Sequence, residues 1–376
     1  AQAQTDTASS HLRISVLTVG VGDEIYASFG HTGIRVLDSA TGSDKVYNWG
    51  TFDGFQDNFE LKFMQGKLLY YCSSETFLNF YQTYVQAQRR VQEQVILLDD
   101  AQKAKLQQFL EENLEEANRY YKYDFLYDNC ATRLRDVFPT VFGKQFKFGQ
   151  VLPKDSKLTF REIIDKYLAP LPWERFGIDL LLGSKLDKPM SNEEIMFLPD
   201  YLRDGIAGAT VNGKPIAQDT VELLPAGSPF PKPGNGVLFT LLIVAALVIF
   251  GSVIPGFNII GAIAKNALLI VIGLLGFLML FMWLGTDHKA CSDNWNVLWA
   301  LPTNLIIPFV KRKKRSRYAI IAMLLIVLSL VFHFVGIQEM PLRDLWPLLL
   351  ALLFSFGMIY KAATTEVIYD PADFDH

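Results

Sequence analysis

Apolar residues are unevenly distributed along the chain. Up to residue 235 they alternate with polar residues in short blocks. From 236 to 361 they form five nearly continuous runs, at 236–254, 259–284, 296–310, 318–336 and 345–360. A helix rising about 1.5 Å per residue needs about 20 residues to cross the hydrocarbon core. The second run has length to spare. The third and fifth are short and draw on interfacial flanks, Trp295 and Trp299 for one, Trp346 and Tyr360 for the other. The pattern predicts a water-soluble head over 1–225, a Pro/Gly-rich linker over 226–235, five transmembrane helices over 236–361 and a tail over 362–376.

Within the head, a period of two predicts strands at 12–19, 31–37, 45–49, 68–72 and 94–98. The turn Thr41-Gly42-Ser43 joins the second and third as a hairpin. A period of 3.6 predicts a helix over 74–88, with Phe77, Phe80, Tyr81, Tyr84 and Val85 on one stripe, and another over 100–118. A third helix over 130–138 is expected to stop at Pro139. Residues 151–225 are weakly patterned. The head is expected to be α+β.

Charge adds orientation. The 376 residues carry 35 basic and 39 acidic side chains, a net charge of −4 that argues against a nucleic-acid binder. Lys311, Arg312, Lys313, Lys314, Arg315 and Arg317 follow the third run; Lys265 is assigned to the connection between spans one and two, and Lys361 follows the fifth run. The opposite side has only Lys289 and Arg343. The basic side is expected to be cytoplasmic, which puts the head outside and the tail inside. An exported head implies a removed signal peptide, with Ala1-Gln2-Ala3 near the cleavage site.

The candidate chemistry centres on Cys130, in Asp128-Asn129-Cys130-Ala131-Thr132-Arg133. Asn129 or Asp128 caps a helix whose first turn holds the thiol. There, free backbone amides and the helix dipole are expected to lower its pKa below about 8.5 and to hold an oxyanion. A buried core cysteine remains the competing reading. The base is expected to be His31, which shares a strand face with Gly33 and Arg35; Gly33 leaves room for another group to approach. Asn48, on the next strand, is placed to orient the imidazole, whereas Asp38 falls on the opposite face. His31, Asn48 and Cys130 form a papain-like set in permuted order. The three cysteines, Cys72, Cys130 and Cys291, would sit in an oxidising compartment, so pairing of Cys72 with Cys291 or with Cys130 is open. No spacing suggests a metal, and no phosphate loop or dinucleotide fingerprint suggests a cofactor.

Gly30-His31-Thr32, Tyr47-Asn48-Trp49-Gly50-Thr51-Phe52, Asn129-Cys130-Ala131-Thr132-Arg133-Leu134-Arg135-Asp136, Phe197-Leu198-Pro199-Asp200-Tyr201-Leu202 and Thr286-Asp287-His288 resemble the Lnb-type bacterial lipoprotein N-acyltransferase family. Val21-Gly22 stands where that family often has Pro-Gly. The resemblance spans essentially the whole chain. It implies a permuted papain-like, lecithin:retinol acyltransferase-like exported domain followed by five transmembrane helices in the bacterial inner membrane. It also implies a phospholipid acyl donor, a Cys130 thioester and a diacylated lipoprotein whose N-terminal α-amine accepts the chain. Arg133, Asn129, Trp49, Asp287 and His288 are the candidate substrate contacts. Phe29, Phe52, Phe55, Phe59 and Phe63 line an acyl bay or belong to the core. The same trio also suits a cell-wall cysteine amidase or peptidase. A non-enzymatic membrane receptor or assembly factor would instead have Cys130 bridged to Cys72.

Overall fold

A computed structural model of the chain describes residues 11–227, 234–311 and 314–368. The expected cleavage-site residues 1–3, most of the 226–235 linker, Arg312, Lys313 and the end of the tail lie outside the described residues. Packing divides the chain into two compact units: Ala1–Leu158 with Pro189–Pro231, and Thr159–Lys188 with Lys232–His376.

The first unit is built on an antiparallel sheet. Its strands are β1 (Leu12–Val19), β2 (His31–Asp38), β3 (Ser43–Phe52), β4 (Leu69–Thr76), β5 (Val91–Ile96) and β6 (Tyr120–Lys122). A small second sheet holds β7 (Phe146–Lys147), β8 (Thr210–Val211) and β9 (Lys214–Pro215); β10 (Val221–Leu224) closes the large sheet, whose order is β10-β5-β1-β2-β3-β4-β6. The helices are α1 (Phe59–Met64), α2 (Phe77–Gln86), α3 (Asp100–Glu112) and α4 (Cys130–Phe142), followed in the second unit by α5 (Phe160–Tyr167) and α6 (Pro172–Leu181) and again in the first by α7 (Pro199–Ala207).

The two sheet faces have different cover. Leu17, Val19, Val46 and Val91 bury one face against Phe80 of α2. Val19 pairs with His31 and Leu17 with Gly33, so His31 lies on this face. Ile34 and Tyr47, paired across β2 and β3, face the other way, where the Tyr47 hydroxyl donates to Glu111 of α3. The alternation read from the sequence therefore holds through β2.

Some boundaries differ. β5 begins three residues earlier than expected, and α3 ends at Glu112. α4 does not stop at Pro139; it continues to Phe142. Proline removes one helical donor, but Val137, Phe138, Val141 and Phe142 all remain buried. Packing of that apolar stripe carries the helix across the proline.

Among the described residues, the second unit contains four helices long and apolar enough to cross a membrane: α8 (Gly236–Val253), α9 (Asn258–Leu284), α10 (Arg315–Phe334) and α11 (Leu342–Ile368). The third apolar run differs from the expectation of a transmembrane α-helix. Residues 296–310 form no α-helix; 3₁₀ turns at Trp295–Leu298 and Pro302–Phe309 take its place. Pro302 and Pro308 remove donors that an α-helix would need. The run still follows the length of α10. Trp295 meets Phe332 edge-on at 5.9 Å, and Tyr318 Oη donates to Asn304 Oδ1 at 2.7 Å.

Irregular backbone within a bilayer needs cover from protein, and α9 supplies it along one side of this segment. A Cβ on Gly276 would fall 1.6 Å from the Ala300 oxygen, and one on Gly273 2.4 Å from the Leu305 amide. Those glycines let α9 lie directly on the broken segment. Within this unit, buried Arg161 pairs with Asp179 at 3.1 Å and with Asp187, while Asn294 and Gln338 donate to the Leu180 and Leu182 carbonyls. The Arg161 pairs hold Thr159–Lys188 together, and the Asn294 and Gln338 bonds join it to the segments after α9 and α10.

Candidate active site

The site lies where β2 begins, β3 bulges and α4 starts. Gly30 has φ +80°, and a Cβ there would lie 2.6 Å from the Val19 carbonyl oxygen. Only glycine lets the chain turn so tightly into β2 and present His31 opposite Val19. The β2–β3 ladder stops at Gly33 and Asn48. Beyond it, the register of β3 against β4 shifts between Trp49 and Thr51, around Gly50 with φ +109°. The sheet opens at that point.

Cys130 enters the opening from the other side. Asn129 caps α4: its Oδ1 accepts from the Ala131 and Thr132 amides at 2.8 and 2.9 Å, and Thr132 Oγ1 accepts from the Asn129 amide at 2.7 Å. The Asn129 side-chain amide donates to the Phe125 and Phe197 carbonyls. Every polar group of this buried side chain thus fixes the start of α4. Cys130 is the first residue after that cap. A Cβ on Gly50 would be 3.8 Å from Cys130 Cβ and 3.8 Å from His31 Cε1. The thiol and the imidazole therefore flank one glycine.

The imidazole shares a hydrogen bond with the Asn48 side chain. Asn48 is buried, and its Oδ1 also accepts from the Thr51 hydroxyl. Burial and the nearby Arg89 cation lower the His31 pKa to about 4, with the Asn48 bond opposing them. Backbone amides of Thr32, Ala131 and Cys130 reach the sulfur. They lower its pKa, as does Arg89, but burial outweighs them and pushes the thiol up to about 11. The expected low thiol pKa is corrected: a helix start favours a thiolate only where water or a strong cation offsets desolvation. At neutral pH the pair is a thiol and a neutral imidazole.

The remaining candidates are placed as follows. Arg133 pairs with Asp128 and stacks 4.2 Å over the Tyr121 ring. Trp49 is 2% exposed, on the sheet face away from Asn48. The space beside Gly33 is taken by Val46, whose Cγ1 would lie 2.9 Å from an added Cβ. Phe29 meets Phe125 at 4.7 Å, whereas Phe52, Phe55 and Phe63 are exposed. Asp38 accepts from Ala40 and Thr41 in the hairpin turn, with His11 beside it at 3.9 Å. Asp287 and His288 belong to the second unit, in the loop after α9. All three cysteines are free, so Cys130 is not bridged. Among the described residues no group of His, Cys, Asp or Glu is placed to hold a metal.

Sequence reasoning missed two contributors, the Thr32 amide and Arg89. The amide has no signature in residue type. Arg89 had one: with Arg90 it forms a basic pair just before β5, the strand that pairs with β1 beside His31.

Residues 1–166 match the family model described as the Lnb N-terminal periplasmic domain, and residues 227–366 match the Lnb transmembrane domain. No curated protein and no solved structure matches the chain significantly. With a sheet-rich periplasmic domain in front of a membrane-spanning helical one, each matching its model in order, the chain belongs to the Lnb-type family.

Proposed function

We propose that this protein is a lipoprotein N-acyltransferase working through a thioester on Cys130, with His31 as general base and Asn48 orienting His31. The observation that carries the reading is that His31 Cε1 and Cys130 Cβ both lie 3.8 Å from the position of a Cβ on Gly50. In the first half-reaction the Cys130 sulfur attacks an ester carbonyl of a phospholipid as His31 takes the thiol proton. The amides of Cys130, Ala131 and Thr32 are candidates to stabilise the tetrahedral oxyanion. The intermediate collapses to the thioester, and the lysophospholipid alcohol leaves with the proton from His31. In the second, the α-amine of a diacylglyceryl-cysteine attacks the thioester; an amide forms, and the Cys130 thiol is restored.

A neutral imidazole next to a neutral thiol suits this scheme, because the proton moves as the sulfur attacks. The order His31 and Asn48 on strands, then Cys130 opening a helix, supports a permuted papain-like fold. The cations around 311–317 support a cytoplasmic position for that loop, an exported head over 1–225 and an inner-membrane location. Membrane spans in the same chain favour lipid-borne substrates over soluble wall peptides.

The test uses the full chain in phospholipid vesicles. Mass spectrometry should find an acyl group on Cys130, and an added diacylated lipopeptide should then gain that chain as an amide. A Cys130 that stays unmodified, with the lipopeptide still diacylated, refutes the reading.

A further inference from the structure

We propose that Arg89 binds the phosphodiester of the acyl donor and so selects the donor's ester over those of the acceptor. The inference rests on the acyl-transfer reading, which raises a problem of selection. Donor and acceptor both carry fatty acyl esters on glycerol. A site that recognised only an ester beside an acyl chain would also deacylate the lipoprotein it is meant to complete. The chemical difference nearest the ester is the anionic phosphodiester, which only the donor has.

Arg89 has the geometry to read that difference. Val91 at the start of β5 pairs with Val19, and Val19 pairs with His31, so Arg89 enters the sheet two strands from the base at the same end. Three contacts hold its side chain. Nε donates to the Gly20 carbonyl at 2.9 Å, the guanidinium lies 5.1 Å over the Tyr84 ring, and Cδ packs against Gly22. Nη2 is sealed from solvent and has no hydrogen-bond partner among the described residues.

The other described arginines of this unit each have a carboxylate, as Arg35 has Asp44 and Glu93 and Arg90 has Asp200. Arg89 has none among the described residues. A planar, fixed guanidinium with a free edge fits a phosphate oxygen. Its charge also reaches both His31 and Cys130, which places the cation within electrostatic range of the reacting atoms. Amides already face the sulfur, so the unpartnered Nη2 is the donor left for a more distant anion, which reaches it only by displacing the groups that cover it.

The test compares two donors for the rate of Cys130 acylation: phosphatidylglycerol vesicles, and p-nitrophenyl palmitate, which has no phosphate. R89Q should lower the phospholipid-to-nitrophenyl rate ratio at least fivefold, at an unchanged melting temperature. It should also raise, at least fivefold, the inhibition constant of a dialkyl ether phospholipid that cannot be cleaved. R89K, which keeps the charge but loses the planar fork, carries the same comparison should the glutamine variant unfold. A smaller change in the ratio, including an equal fall with both donors, overturns the assignment and leaves acyl transfer standing. A wild-type Cys130 acylated by neither donor overturns acyl transfer, and this inference with it.

Discussion

His31 Cε1 and Cys130 Cβ each lie 3.8 Å from where a Cβ on Gly50 would sit. One residue opens β2 and the other opens α4. Between Trp49 and Thr51 the register of β3 against β4 shifts, so Gly50 brings no side chain between them.

Cys130→Ser is expected to keep the fold, because it replaces one small side chain by another beneath an intact Asn129 cap. A hydroxyl is far less acidic than a thiol, and His31 is a weak base here. Acyl transfer should fall at least about 10³-fold. Lipopeptide acylation assays with the folded variant decide this; a rate near wild type would remove the thioester from the mechanism.

The pH profile follows from two opposite shifts. With its pKa lowered to about 4, His31 stays an unprotonated base through the whole neutral range and is lost only as pH falls towards that value. With its pKa raised to about 11, Cys130 stays a thiol until strongly alkaline pH. Acylation of Cys130 should therefore be flat between about pH 5 and 9. Iodoacetamide labelling, which needs a free thiolate, should be slow at pH 7 and climb steadily towards pH 11. Fast labelling at neutral pH would instead indicate a preformed thiolate.

Asn48 can be tested by charge as well as by loss. Asn48→Ala removes the group on the imidazole and should slow acylation about 10- to 100-fold through misorientation. Asn48→Asp puts a carboxylate beside His31, which favours the imidazolium and raises its pKa from about 4. The acid limb of the rate profile should then move to higher pH. An acid limb that does not move would show that the limb belongs to another group.

In the membrane unit, Gly276→Ala should be poorly tolerated, since the added carbon would overlap the Ala300 carbonyl. Gly357 in α11 has no atom within 4 Å of the same position. Gly357→Ala should raise stability by about 1 kcal/mol through helix propensity alone. Thermal unfolding in detergent compares the pair, and equal behaviour would mean that α9 does not lie against the broken segment.

Much of the site was legible because its signals are local. Alternation from His31 to Leu37 follows from backbone geometry, and a cap before Cys130 follows from the asparagine side chain. Asn48 falls on the face of His31 because a hairpin with a short turn leaves few possible registers. The thiol pKa was misread for the opposite reason. A helix start is visible in sequence, but the desolvation that outweighs it depends on what packs over the sulfur. Pro139 and the run 296–310 show the same limit in both directions: buried neighbours carry α4 through one proline, whereas Pro302 and Pro308 break a run that hydropathy alone marks as a helix.

The sequence by itself determined the periodicity of β2, the capped start of α4, the apolar runs and the order of the two domains. These depend on spacing between near neighbours in the chain. Only the tertiary structure decided that β3 bulges at Gly50, that the Thr32 amide turns to the sulfur, and that Arg89 arrives two strands away with a free edge. Those features depend on which distant segments come together and exclude water, so the protonation states of the site follow from packing and not from residue type.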